Sequence, residues 1–339
     1  MASDTMSEEA QAIFDKLLPE QMKAPVKASA FAPSNIALSK YWGKRYKPLN
    51  LSVNSSLSLS LGSWGTSTRI EPSERDCLVF NGDRLDDDDS IAKRLFSFVN
   101  YFRRGQEASL LIDSTNTIPT AAGLASSASG FAALTLALDR AYQTQLSESA
   151  LSIIARIGSG SASRSLWHGF VRWDSGTARD GMDSFARRLD IDWPEIRMAI
   201  VTISTEKKAQ SSTDGMIHTE VTSPLFPSWV AQATQDCDAI EQALSSKDFI
   251  TVGETAESNA LAMHATMMAA RPALTYLKPE SWATLELLWQ ARKDGLHAYA
   301  TMDAGANVKI LYLEKNEASI KSLFPSATCV APFADAPII

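Results

Sequence analysis

The chain predicts an α+β protein of two lobes. Its 339 residues exceed the size at which a single core usually stops growing. The first part carries short β-rich runs separated by Pro33 and by Asn/Ser turns, and the second half is rich in long helical patterns closed by strands. A break around Asp190 to Pro194 divides the chain into residues 1–190 and 191–339.

Taken in order, Ser7 to Leu18 places Ile13, Phe14, Leu17 and Leu18 on one helical face, with acidic residues near the start. Strands are expected at Val26 to Phe31, Asn35 to Tyr41, Leu57 to Leu61, Ser67 to Glu71 and Cys77 to Phe80, the last turning at Asn81-Gly82. The run Asp86 to Asp89 reads as the solvated start of a helix, because carboxylates favour helix N-termini. Leu110 to Ile112 ends a strand that feeds a small-residue turn, Pro119 to Ser129, and an Ala-rich helix to about Tyr142. Ser147 to Ile157 is helical, and His168 to Trp173 and Met198 to Ile203 are strands. Helices follow at Ser228 to Leu244, Asp248 to Met267 and Glu280 to Lys293. Strands at Ala298 to Met302 and Val308 to Leu313, a short helix from Glu317 and a strand near Thr328 to Val330 complete the chain.

Composition narrows the function. A net charge of −7 argues against a broad nucleic-acid surface, and an anionic substrate would need a local basic pocket. Cys77, Cys237 and Cys329 are dispersed and odd in number, which predicts free thiols and a reducing cytoplasm. No apolar run approaches a membrane span, no basic-then-apolar leader is visible, and the four histidines have no metal-ligand spacing.

Four segments bear chemistry. Pro119 to Ser129 (Pro-Thr-Ala-Ala-Gly-Leu-Ala-Ser-Ser-Ala-Ser) lets backbone approach a ligand at Gly123 and sets Ser126 and Ser127 where a helix begins. Such a terminus suits phosphate, although a capped core helix has the same look and no Walker lysine closes the turn. Lys40 and Lys44, beside Tyr41 and Trp42, form a cationic cluster at the end of a strand; exposed edge lysines are the plain alternative. Gly158 to Ser165 packs small hydroxyls around Arg164, as a linker or as a carboxylate or phosphate site. Thr301 to Asn307 is either a β-turn or a strand end holding Asp303 to accept a proton from an alcohol. The polar run Ser204 to Thr213, with Lys207 and Lys208, fits a loop over the site or a surface connection, and His264, beside Met263 and Met267, fits a core position.

Together these segments resemble the mevalonate diphosphate decarboxylases, within the superfamily of galactokinase, homoserine kinase, mevalonate kinase and phosphomevalonate kinase. The blocks are Lys40-Tyr41-Trp42-Gly43-Lys44-Arg45, Asn54-Ser55-Ser56-Leu57-Ser58, Pro119 to Ser127, Gly158 to Ser165, Ser211-Ser212-Thr213-Asp214-Gly215-Met216, His264-Ala265-Thr266 and Met302-Asp303-Ala304-Gly305-Ala306-Asn307. They run in family order from about Ala32 to Leu313. Ser163 stands where many relatives have cysteine, and Ala306 where several have proline.

The resemblance implies a left-handed βαβ domain, like one in a ribosomal small-subunit protein, followed by a ferredoxin-like α+β domain with the active site between them. It implies Mg²⁺ and ATP, and mevalonate 5-diphosphate as the small-molecule substrate, phosphorylated at its tertiary hydroxyl before phosphate and CO2 leave. A related enzyme acting on the monophosphate, or a kinase of the C3 hydroxyl, is the alternative. Residue by residue, Asp303 matches the aspartate facing the C3 hydroxyl, Arg164 the arginine on the substrate carboxylate, and Lys40 a lysine near the reacting centre. Tyr41, Lys44, Ser159 and Ser161 match positions that hold the substrate or its diphosphate, and Ser212 a serine near the reacting phosphates. Gly123, Ser126 and Ser127 match the ATP phosphate loop, and a homodimer is implied by analogy.

Overall fold

A computed structural model describes residues 7–118, 127–206 and 209–333. Helix α1 (Glu8–Leu17) is capped by the Ser7 hydroxyl, which accepts from the Ala10 amide, and buries Ala10, Ile13 and Phe14. Two long antiparallel strands follow, β1 (Ala28–Ser39) and β4 (Ser56–Pro72), separated by a small ladder of β2 (Lys44–Tyr46) and β3 (Leu51–Ser52). Four expected runs are thus two continuous strands. Pro33 interrupts the pattern without ending the strand, because it sits at a register shift opposite Gly65. Gly65 is required there: a Cβ would lie 2.1 Å from the Ala32 carbonyl oxygen.

Strand β5 (Cys77–Phe80) turns through Asn81 and Gly82, both at positive φ, into β6 (Asp83–Leu85). Asp89 caps α2 (Ser90–Arg103), and β7 (Leu110–Asn116) pairs with β5 in parallel and β4 antiparallel. Helix α3 (Ser127–Tyr142) lies on β1 and β4 beside α4 (Glu148–Gly158), which is capped by Ser147. Strands β8 (Phe170–Trp173) and β9 (Ala186–Arg188) complete a seven-stranded sheet ordered β6-β5-β7-β4-β8-β9, with β1 on the free flank of β4.

The second sheet has β10 (Ile196–Val201), β11 (Ala298–Met302), β12 (Val308–Leu313) and β13 (Thr328–Val330) in the antiparallel order β11-β12-β10-β13. That order is ferredoxin-like, with helices inserted between its first and second strands. They are α5 (Ser212–Thr222), α6 (Phe226–Ser245), α7 (Phe249–Met268) and α8 (Pro279–Lys293), while α9 (Glu317–Leu323) precedes β13. The α+β expectation therefore holds. The sequence reading missed β2, β3, β6 and β9, each only two or three residues long, and α5, whose buried face is just Gly215, Met216 and Thr219.

One apolar core joins the two sheets. Ile36, Leu38, Leu57 and Leu59 of β1 and β4 meet Ile196, Met198 and Ile200 of β10 and Ile240, Leu244 and Val252 of α6 and α7, all nearly or fully buried. This shared core holds the end of β1 and the β11–β12 turn in fixed relation, and the functional groups gather there.

Candidate active site

A cavity of about 270 Å³ opens where β1, the turn after α4, the start of α5 and the β11–β12 turn converge. Asp303, Arg164, Lys40, Tyr41, Lys44, Ser159, Ser161, Ser212 and Ser127 all line it. Gly123 and Ser126, together with Lys207 and Lys208, lie outside the described residues. Ser127 opens α3, whose first turn faces the cavity through Ser127 and Ala128.

Lys40 sits just past the end of β1 and is 2% exposed. Its backbone amide donates to Asn259 Oδ1 and its carbonyl accepts from Asn54 Nδ2, both at 2.8 Å. Asn259 in turn donates to Asp236 Oδ2 at 2.9 Å. Held at both backbone ends, the side chain donates from Nζ to the Ala37 carbonyl and to Asp303 Oδ1, each at 2.8 Å. Burial draws its pKa down to about 8, against the opposing pull of Asp303.

Asp303 begins the turn between β11 and β12, which three elements fix. His264 of α7 hydrogen-bonds the Asp303 carbonyl through Nε2 at 3.2 Å, and Ser281 of α8 donates to the Ala306 carbonyl at 2.6 Å. Asn307 Oδ1 accepts from the amides of Ile203 and Ser204 at 2.8 and 2.9 Å. His264 is 1% exposed, and burial followed by the Lys40 charge lowers it to about 4, so the ring is neutral. The Asp303 side chain keeps 38% of its surface open to the cavity. Burial pushes its carboxyl up, but Lys309 and then Lys40 outweigh that and hold it well below the usual carboxylate range.

Arg164 ends a 3-10 turn, Gly160–Arg164, that follows the extended Ser159. The side chain is 3% exposed and donates from Nη1 to Ser56 Oγ at 2.5 Å, while its Nε is buried without a partner among the described residues. A buried guanidinium with an unmet donor and, among the described residues, no ion pair to a carboxylate is prepared for an anion from outside. Tyr41 packs edge-on against Trp173 and presses on Gly160, where a Cβ would meet its hydroxyl at 2.7 Å. The tyrosine and the serine-rich turn therefore fit only because residue 160 is glycine. Asn35 Nδ2 ties the turn down by donating to Ser165 Oγ at 2.7 Å.

Lys44 Nζ donates to Asn50 Oδ1 at 2.7 Å, and Asn50 binds the Arg156 and Ile157 carbonyls at the end of α4. Burial, then Arg94 and Lys47, brings Lys44 down to about 8. Arg94 and Lys309 are lining residues that sequence reading missed. Arg94 donates to the Gly158 carbonyl at 2.8 Å and lies 4.7 Å above the Phe131 ring, a placement that only the packing of α2 against α3 creates. Among the described residues, the cavity sets five cations, Lys40, Lys44, Arg94, Arg164 and Lys309, against one carboxylate, Asp303. In a chain of net charge −7 that is a local anion receptor.

Two family models cover nearly all of this architecture. Residues 32–186 match the diphosphomevalonate decarboxylase-like N-terminal domain, and residues 198–335 match the mevalonate 5-diphosphate decarboxylase C-terminal domain. The chain belongs to the diphosphomevalonate decarboxylase family. It is 38% identical over 314 residues to the diphosphomevalonate decarboxylase of Candida albicans, covering 87% of each chain. The crystal structure of mevalonate diphosphate decarboxylase from Staphylococcus aureus superposes with a TM-score of 0.86 at 35% identity, covering 94% of this chain and 98% of that one. A structure of MDDEF in complex with MVAPP, AMPPCP and magnesium superposes at 0.84 with 38% identity, covering 91% and 98%. Helix α1 precedes the matched residues, so it is a feature of this chain outside the family model. Among the described residues no helix is long and apolar enough to cross a membrane, and no cluster of three or more His, Cys, Asp or Glu gathers to hold a metal.

Proposed function

We propose that this protein is an ATP-dependent diphosphomevalonate decarboxylase, converting mevalonate 5-diphosphate to isopentenyl diphosphate, CO2, ADP and phosphate. The observation that carries the reading is the opening of Asp303 and Arg164 onto one cavity whose other charged lining residues are cations. Family membership and the nucleotide-analogue complex of a relative support it.

In this reading the substrate carboxylate meets the unmet Nε of Arg164 and its diphosphate lies along Lys44, Ser159, Ser161 and Tyr41. The C3 hydroxyl then donates to the free face of Asp303. A carboxylate this acidic is a weak base before reaction, so it orients the hydroxyl and receives the proton late, as bonding to phosphorus acidifies the oxygen. Asp303 passes that proton to the departing phosphate and, ionised again, stabilises positive charge at C3, while the carboxylate held by Arg164 releases CO2 as its electron pair forms the double bond.

ATP would present its phosphates to the start of α3 at Ser127, with Lys40 and Ser212 facing the reacting group. Magnesium fits as an ion carried mainly by those phosphates and water, since the described residues assemble no carboxylate cage. When bound, it neutralises phosphate charge. The proposal extends to a homodimer in a reducing cytoplasm, supported by the family resemblance and the three free cysteines. It also extends to a division near residue 190, supported by the model spans 32–186 and 198–335.

The test is incubation with ATP and mevalonate, its 5-phosphate or its 5-diphosphate, assayed for ADP and CO2 together. Equal ADP and CO2 on the diphosphate alone is expected. ADP without CO2 would point to a kinase, and preference for the monophosphate would replace the substrate.

A further inference from the structure

The Asp303 carboxylate is gripped on both oxygens. Lys40 takes Oδ1 from the end of β1, and Lys309, on β12, brings its Nζ to 3.1 Å from Oδ2. The Lys309 side chain is 4% exposed and also donates to the Asn307 carbonyl at 3.4 Å, within the turn that carries Asp303. The charged and titratable groups facing Asp303 are Lys40, Lys309, the His264 ring on its carbonyl and Arg164 across the cavity. One carboxylate thus serves two buried ammonium groups, more cation than charge balance of the fold requires.

The two lysines differ in what they answer to. Lys40 belongs to the N-terminal sheet and faces the space where phosphate groups are proposed to react, so arriving anions draw on its charge. Lys309 also lines the cavity, but it belongs to β12 and is tethered to the Asp303 turn itself through the Asn307 carbonyl. We propose that Lys309 is the positioning residue that keeps Asp303 ionised and fixed in rotation while Lys40 turns its charge to the transferring phosphoryl group. This inference rests on the role proposed above for Asp303.

The experiment is steady-state kinetics from pH 5 to 9 on Lys309→Met, Lys309→Gln and Lys309→Arg, with ATP and mevalonate 5-diphosphate, beside wild type and Asp303→Asn. Lys309→Met should lower kcat at least about tenfold, leave KM for the diphosphate within about threefold, and bring into the measured range an acid limb of kcat/KM that lies below pH 5 in wild type. Lys309→Arg should return the limb toward wild type. If Lys309→Met does not fold, Lys309→Gln, which is neutral but still able to donate, carries the same expectation for the limb. A folded neutral variant with the wild-type limb overturns the proposal, whether or not its kcat has fallen. An active Asp303→Asn enzyme would instead overturn the Asp303 role itself, so the two failures are distinguishable.

Discussion

Lys40 Nζ and Asp303 Oδ1 lie 2.8 Å apart although 263 residues separate them in the chain. The contact joins the end of β1 in the seven-stranded sheet to the β11–β12 turn of the other sheet. It holds its length because both ends are braced, Lys40 by Asn259 and Asn54, the Asp303 turn by His264, Ser281 and Asn307. Asp303→Asn keeps the shape and removes the charge. It should cost at least about a hundredfold in kcat with a smaller change in substrate affinity, as expected for a group acting in the transition state. Single-turnover ADP formation and equilibrium binding of the diphosphate, measured on the same variant, separate the two effects; near-normal turnover would reject the assignment.

Activity and stability should diverge at alkaline pH. Lys40 and Lys44 have pKa values drawn from 10.5 to about 8 by burial. Above about 8 the free enzyme loses the cations that receive the anionic substrate, so kcat/KM should fall. Bound diphosphate favours the charged forms, so the alkaline limb of kcat should lie at higher pH than that of kcat/KM. For stability the sign reverses. Between about 8 and 10.5 the unfolded chain binds more protons at these lysines than the fold does, so their penalty is full below pH 8 and shrinks as pH rises. Their contribution can be isolated by comparing the pH dependence of unfolding in wild type and Lys40→Met: the wild type should gain on the variant as pH rises through this window.

Much of this site was legible in the sequence, for identifiable reasons. Asp303 and Arg164 sit in short blocks of small residues, whose spacing is dictated by backbone passing close to another element, as at Gly160 against Tyr41, and Lys40 stands out as a basic residue beside the aromatic pair Tyr41 and Trp42. Lys309 was not legible because a single lysine near the start of the otherwise apolar β12 carries no motif; only the pairing of β12 with β11 and β10 brings it to Asp303. Arg94 was hidden for the same reason, in the middle of an amphipathic helix. Pro33 misled because local turn chemistry argues for a break, while the register shift opposite Gly65 absorbs the missing amide.

Helix α1 is a structural clamp in this chain. Phe14 is fully buried, stacked at 4.6 Å on Tyr101 and edge-on to Phe98 and Phe102 of α2. Phe14→Ala should reduce the unfolding free energy by about 3–5 kcal/mol, the range for emptying an aromatic core site. At 25 °C kcat should be unchanged, since α1 contributes no lining residue to the catalytic cavity. Denaturant melts and initial rates on one preparation check both parts.

Arg164 makes the sharpest separation between stability and function. Its guanidinium is 3% exposed, burial lowers its pKa to about 10, and its Nε has no partner among the described residues. The folded protein therefore carries a desolvated charge whose compensation is proposed to arrive with the substrate carboxylate. Arg164→Met should remove that penalty and leave the melting temperature unchanged or raised, as replacement of buried ionic groups by apolar ones often does. The same variant should weaken mevalonate 5-diphosphate binding by about ten- to a hundredfold, matching about 1.5–3 kcal/mol for a charged hydrogen bond. Arg164→Lys should not restore it, because an ammonium cannot bind Ser56 and present a planar fork to a carboxylate at once. Calorimetric titration with the diphosphate, set beside thermal unfolding without ligand, decides the matter: a destabilised Arg164→Met variant that binds substrate normally would show that the guanidinium serves the fold and not the ligand.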